Sequence, residues 1–327
     1  MKVGLYFDLR NPPGWRQDSS RLYGFMLEMC EEAERLGAHN IWVTEHHLFE
    51  DGYLTQPLTF AAAIAARTRR VRIGTGILLA PLYPAIAIAE QATVVDLISG
   101  GRLELGLGAG YRVPEFELYG ADMGTRFSTT ISHVKEIRRL WSDPRVTPLH
   151  AQERIPIWLG FSGPKNARRT GELGEGLLVL DRALFESYRE GLVAAGHPLS
   201  CARMGGLVNG WISDDPDADW PAIAPYARYW IDSYRRYAVE GTTHPVPPPV
   251  DVTNLRTAEI TRGWDLFGDC RIPIATPEDA ARQLRDHLAG LPVEQIYFWA
   301  SYAGMPEAMV ARNVRTICTR LAPLLNA

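Results

Sequence analysis

Glu45, His46 and His47 stand together directly after a short apolar run, Ile41-Trp42-Val43, and just ahead of an acidic, glycine-containing loop, Glu50-Asp51-Gly52. Imidazole changes charge near neutral pH, so a histidine pair beside a carboxylate suits proton transfer. The apolar run has the length and flanks of a buried strand. Titratable groups at a strand end are what an α/β barrel uses for chemistry, because the loops after its strands converge on one mouth. Two plainer readings compete. The triplet could ligate a metal, but no third ligand stands at the spacing of H-E-x-x-H, and neighbours on a strand point to opposite faces. No metal site is therefore expected. One histidine could instead be bonded to backbone between strands.

The elements that must hold these groups follow from periodicity. Residues 3–7 alternate as a first strand, and 41–43, 71–79, 103–107, 155–160, 177–180, 205–212 and 295–300 are further short apolar runs. Helical spacing lies between them. In 21–36, Leu22, Phe25, Met26, Met29, Ala33 and Leu36 share one face and Gly37 follows as a cap. Further helices are expected over 57–68, 84–98, 126–141, 164–173, 183–195, 217–240 and 307–321, and one running to Leu288 is opened by Thr276-Pro277-Glu278-Asp279.

Strands alternating with helices from end to end predict a parallel sheet with right-handed crossovers, closed as a (β/α)8 TIM barrel in a single domain over 1–327. An open doubly wound sheet is the runner-up. It lacks its fingerprint, since Gly106, Gly108 and Gly110 give G-x-G-x-G with Tyr111 where the last glycine is needed. Residues 241–254 contain His244-Pro245-Val246-Pro247-Pro248-Pro249, which fits neither helix nor sheet interior and reads as an insertion or lid loop.

Composition narrows the class. The chain has 327 residues, 46% hydrophobic and 22% charged, as in ordinary soluble proteins. A formal charge of -4 argues against nucleic acid as partner. No apolar run reaches membrane-spanning length, and the N-terminus enters a strand pattern rather than a signal peptide. Cys30, Cys201, Cys270 and Cys318 show no C-x-x-C spacing, which suggests reduced thiols and a cytoplasmic location.

The other strand ends carry Asp8, Thr75-Gly76, Gly108-Ala109-Gly110-Tyr111, Phe161-Ser162-Gly163, Asp181, Asn209 and Ser301. Their glycines serve tight turns or the close approach of backbone to a flat ligand. Ser162-Gly163-Pro164, at a helix start, is either an anion site or a plain serine N-cap. Trp211, Trp299 and Tyr302 suggest an apolar substrate pocket.

The blocks EHHLFEDG, RIGTGILLAP, GGRLELGLGAGYRVPEFELYGADM and PIWLGFSGPKNARRTGELGEG, with TPEDAARQL, EQIYF and LAPLL further on, resemble in order and spacing the bacterial luciferase-like flavin-dependent monooxygenase family over most of the chain. The resemblance implies a barrel that binds flavin at the strand C-termini. His46 corresponds to the family's active-site histidine, and His47 is its neighbour. Gly76-Ile77 falls where the family has a cis peptide beside the flavin ring, Gly108 lies near the ring, and Arg126, Ser162 and the Gly163 amide hold the phosphate. Glu45, Ala109 and Tyr111 complete the cofactor side. A separate flavin reductase would supply reduced FMN, and O2 and a small apolar substrate would meet it under a lid formed by 241–254. A homodimer through the Ala-rich helices 57–68 and 84–98 is also implied. The chain departs from luciferase proper at Ala109, which replaces a phosphate-binding arginine; Arg112 is the candidate substitute. Residues 143–154 form a shorter connection than is usual, which implies a more open pocket. Two alternatives stand beside the monooxygenase: a deazaflavin-dependent oxidoreductase of the same superfamily that transfers hydride, and a flavin-binding subunit without turnover.

Overall fold

The computed structural model describes residues 1–262 and 267–326. Its strands are β1 (Lys2–Phe7), β2 (Asn40–Val43), β3 (Arg72–Thr75), β4 (Leu78–Leu79), β5 (Leu103–Gly108), β6 (Ile157–Leu159), β7 (Gly176–Leu177), β8 (Met204–Val208), β9 (Trp211–Ile212), β10 (Arg256–Thr257), β11 (Ile272–Ala275) and β12 (Val293–Trp299). Eight of them close a parallel barrel in the order β1-β2-β3-β5-β6-β7-β8-β12, with β12 returning to β1. Every residue of β2, β5 and β6 is buried, as expected of parallel strands covered by helices. Large side chains fill the interior, and small ones make room for them. Trp42 stacks on Tyr297 with ring centroids 4.9 Å apart. A β-carbon on Gly74 would come within 2.4 Å of the Trp42 ring, so this position accepts only glycine.

The surrounding helices are α1 (Ser19–Arg35), α2 (Pro57–Arg67), α3 (Ala85–Ser99), α4 (Val113–Tyr119), α5 (Arg126–Ser142), α6 (Pro164–Glu172), α7 (Phe185–Ala194), α8 (Pro216–Val239), α9 (Pro277–Leu288), α10 (Glu307–Thr316) and α11 (Ala322–Asn326). Local chemistry sets their starts. Asp18 accepts the Arg21 N–H at 2.8 Å ahead of α1, and Thr276 accepts that of Asp279 at 3.2 Å ahead of α9.

Four features differ from the sequence reading. The run 71–79 is divided into β3 and β4 around the Gly76-Ile77 peptide, which is cis. The run 205–212 is divided into β8 and β9, because β9 leaves the barrel to pair with β11 in a small parallel sheet that also holds β10. The run 307–321 is α10 followed by a π-helical turn, Ile317–Leu321. Helix α4 was not foreseen. The proline-rich segment folds back on α8: the Pro248 carbonyl accepts from Arg235 at 2.7 Å, and the Val250 N–H donates to Asp232 at 2.8 Å.

Helices α6 and α7 touch through glycine. A β-carbon on Gly191 would sit 2.0 Å from the Arg168 carbonyl oxygen, and one on Gly171 would sit 2.2 Å from that of Tyr188. Backbone cannot swing aside as a side chain can. Gly191→Ala gains up to about 1 kcal/mol in helix propensity but incurs about 1–3 kcal/mol or more of overpacking. We expect net destabilisation, read as a lower denaturant midpoint with an unchanged slope.

Candidate active site

The C-terminal ends of the barrel strands open into a cleft. Part of its lining carries little or no side chain, at Gly76, Ala109, Gly110 and Gly160, with Ile77 among them. The rest is largely aromatic, with Tyr6, Tyr53, Tyr111, Phe127, Tyr234 and Trp299 around His46 and Arg126. The His46 ring stacks on Phe49 at 4.9 Å and meets the edges of Tyr53 at 4.8 Å, Tyr111 at 5.4 Å and Tyr234 at 6.1 Å.

Glu115, on α4, is fully buried and joins several loops through one oxygen. Its Oε1 lies 2.8 Å from His46 Nδ1 and accepts the His47 backbone N–H at 2.9 Å and the Arg112 guanidinium at 3.0 Å. Burial works to raise the Glu115 carboxyl, but His46, the His47 amide and Arg112 outweigh it and hold the group below the usual carboxylate range. The remaining His46 nitrogen, Nε2, lies 3.3 Å from the Tyr111 hydroxyl. A second unit holds Glu45. Its Oε1 is 2.9 Å from His47 Nε2 and also accepts from the Tyr83 hydroxyl, while its Oε2 accepts the Leu79 N–H at 2.7 Å.

Behind the cleft wall, Arg10 and Asp51 form a buried ion pair at 2.6 Å. The Arg10 guanidinium sits over the rings of Phe49, Tyr53, Tyr229 and Tyr234, each 5.2 to 5.6 Å away. The Tyr53 and Tyr234 hydroxyls meet at 2.6 Å. Asp8, at the end of β1, is buried beside this group; burial pushes its carboxyl up to about 7, against the pull of Arg10 and with the help of Asp51.

The structure brings Glu45, His46, Gly76, Ile77, Ala109, Tyr111, Arg126, Ser162 and Trp299 to the one cleft. Gly163 is the N-cap of α6, with no side-chain cap, so Ser162 is not a serine N-cap. Several expectations need correction. His47 lies outside the lining, bonded to Glu45 and 3.5 Å from Tyr119. Gly108 is covered by the Ile77 side chain, which a β-carbon would overlap at 1.6 Å. Arg112 is no phosphate ligand: it is fully buried, bonded to Glu115, Glu240 and the carbonyls of His47 and Tyr237. Trp211 and Tyr302 pack on each other at 5.5 Å outside the lining. No residue of 241–254 lines the cleft, and the barrel mouth receives Tyr234 of α8 instead.

Sequence reasoning missed Glu115, Arg10 and Tyr234. For Glu115 a signal existed: Pro114 and Glu115 stand in the first turn of α4, and Gly120 ends it with φ 64°. For the Arg10–Asp51 pair no local signal exists. Among the described residues there is no cluster of metal-ligating side chains, and no helix is long and apolar enough to cross a membrane.

A closed parallel barrel with an imidazole, phenols and a guanidinium gathered at its C-terminal mouth is an enzyme-type α/β barrel. The chain belongs to the luciferase-like monooxygenase family, whose model matches residues 1–295. It is 33% identical over 168 residues to the oxygenase component of the flavin-dependent trigonelline monooxygenase of Acinetobacter baylyi, covering 46% of this chain and 46% of that protein. It is 28% identical over 190 residues to the F420-dependent glucose-6-phosphate dehydrogenase of Amycolatopsis mediterranei, covering 52% of this chain and 57% of that protein. These alignments span about half the length of the relatives. The monooxygenase RslO1 from Streptomyces bottropensis superposes with a TM-score of 0.80 at 22% identity over 99% of each chain, which shows the common fold.

Asp8 supplies a test of the site's electrostatics. Its folded carboxyl titrates near 7, above the unfolded value of about 3.9. Between those values the unfolded chain loses the proton and the folded chain keeps it, so this group's contribution to stability falls as pH rises. Each unit of displacement is worth about 1.4 kcal/mol. We expect Asp8→Asn to gain stability relative to the parent as pH rises from about 4 to about 7, in urea unfolding at each pH.

Proposed function

We propose that this chain is the oxygenase of a two-component flavin-dependent monooxygenase, taking reduced FMN from a separate reductase and using O2 to oxygenate a small apolar substrate. One observation carries the reading. A single cleft combines bare backbone, an imidazole and a set of unengaged anion-binding donors. Arg126 lines it with a shielded Nε that has no protein partner, while its Nη1 donates to the Met123 carbonyl at 2.9 Å. Exposed Ser162 lines the same cleft, and the next residue, Gly163, starts α6 without a side-chain cap. These residues fit a phosphate. Gly76, Ala109 and Gly110 bring little or no side chain to the lining, which suits the close approach of a planar ring. Bound reduced FMN would supply the electrons that activate O2.

The chain's own groups do the rest. His46 holds or moves a proton at the cleft wall, with Glu115 on its Nδ1. The aromatic wall excludes water and suits an apolar substrate. Trp299 remains a candidate substrate contact, its Nε1 fixed on Asn209 at 3.1 Å. The separate reductase is carried over from the A. baylyi relative, which is an oxygenase component. A cytoplasmic location accords with cysteines that show no C-x-x-C spacing. The second reading, a deazaflavin coenzyme and hydride transfer, is favoured by the F420-dependent relative.

The reading includes a second copy of this chain. Helix α3 is apolar on its outer face too, where Ile86, Val94, Leu97 and Ile98 are 40 to 48% exposed. These exposed apolar side chains, beside Glu90 and Gln91, are a surface that calls for cover.

Anaerobic titration with reduced FMN and with F420 tests the cofactor: tighter binding of F420, or no binding of FMN, would overturn the assignment. We expect Arg126→Ala to weaken FMN about 10-fold or more while leaving riboflavin unchanged, because only FMN carries the phosphate; isothermal titration reads both. Light scattering should find a dimer, and Val94→Lys with Ile98→Lys should give a folded monomer.

A further inference from the structure

Neither ring nitrogen of His46 is bare. Nδ1 lies 2.8 Å from Glu115, and Nε2 lies 3.3 Å from the hydroxyl of Tyr111. Glu115 is a carboxylate that already takes the His47 N–H and Arg112, so it calls for the His46 proton on Nδ1. Nε2 is then an acceptor, and the Tyr111 O–H donates to it. Tyr111 itself lines the cleft and is 38% exposed, whereas His46 is 8% exposed. His46 also lines the cleft, but its Nε2, the nitrogen not held by Glu115, is engaged by the Tyr111 hydroxyl, so a ligand proton bound for Nε2 passes through that hydroxyl or displaces it.

We propose that Tyr111 is the catalytic acid-base group that meets the ligand, that His46 is its proton reservoir, and that Glu115 is the positioning residue that fixes the tautomer of His46. This rests on the reading of the cleft given above. In the step, an X–H bond of a ligand breaks and its electron pair stays on X. The proton bonds to the Tyr111 oxygen as the Tyr111 O–H proton passes to His46 Nε2. The imidazolium formed is balanced by the Glu115 carboxylate, and the reverse transfer returns a proton to the ligand. Tyrosinate never accumulates.

The surroundings agree. His46 faces Glu115 from α4, Tyr111 from the loop after β5, Tyr53 from the loop after β2 and Tyr234 from α8, with Arg112 beyond Glu115 and Arg10 over the Tyr53 and Tyr234 rings. Desolvation at the cleft wall and the nearby Glu115 push the Tyr111 phenol up, and those of Tyr53 and Tyr234 are raised chiefly by burial. Phenols held protonated pass protons rather than store charge.

The test starts on the ligand-free chain labelled with 15N-histidine, His46 being assigned from the His46→Gln spectrum. We expect the proton on Nδ1 and a hydrogen-bonded, unprotonated Nε2. Tyr111→Phe should shift the Nε2 resonance and leave the tautomer, and Glu115→Gln should mix the two tautomers. An Nε2–H tautomer in the parent, or an Nε2 resonance unmoved by Tyr111→Phe, would overturn the proposal; Tyr111→Phe suffices if Glu115→Gln does not fold. With reduced FMN held at saturation, Tyr111→Phe should slow O2 consumption about 100-fold. A parent-like rate with FMN bound would defeat the relay alone. The expected spectra without any FMN binding would defeat the cofactor reading and leave the relay standing.

Discussion

A carboxylate sealed from water is costly unless its charge is met, and Glu115 meets that condition on a single oxygen. Its partners come from two separate loops: His46 and His47 after β2, and Arg112 after β5. Arg112 extends the joint to α8 through Glu240 and the Tyr237 carbonyl. Three parts of the barrel mouth are thereby tied to one point. Removing Arg112 would leave a buried charge without its counter-charge, which costs far more than a surface pair gives. The geometry of His46 is thus a consequence of where Glu115 must be satisfied.

The Arg10–Asp51 pair works differently. It is as buried as Glu115, yet its neighbours are aromatic faces, and Arg10 also donates to Ser233 of α8. A buried ion pair adds little net stability over apolar packing, but it penalises every misplaced arrangement. Here it fixes α8 against β1 and the loop after β2, and so sets Tyr234 beside Tyr53 at the cleft. Glu115 orients the imidazole; Arg10 orients the wall around it.

The barrel was legible because its signals are local. Each stave is a short apolar run, and each helix carries a face or a cap that its own residues define, as at Thr276 and Gly37. What failed was non-local. β9 pairs with β11 some sixty residues on, and nothing within 205–212 announces that partner. Trp211 and Tyr302 stand at strand ends as Trp299 does, but only Trp299 reaches the cleft, since pleating and the exit of β9 decide the direction. Arg112 looked like a cation available for phosphate because it follows Ala109. The turn into α4 points it inward, to a carboxylate three residues later. The proline-rich segment was legible as irregular, but not as a strap on the flank of α8.

Relatives with this fold carry names of both oxygenases and F420-dependent dehydrogenases, so the barrel itself does not choose the reaction. The choice must lie in the few side chains that the strand ends present. In this chain those fall into two sets with separate supports. Arg126 sits over the Phe127 ring, which meets Phe161 edge-on, and its Nε is left for an anion. His46 and its phenols hang on Glu115 and Arg10, whose bonds do not involve the first set. Because the supports are independent, the anion-binding side can be kept while the proton-handling side is changed. A barrel arranged in this way can keep one manner of holding a cofactor while the group presented at position 111 varies, and that position is where differences in chemistry among such barrels have room to arise.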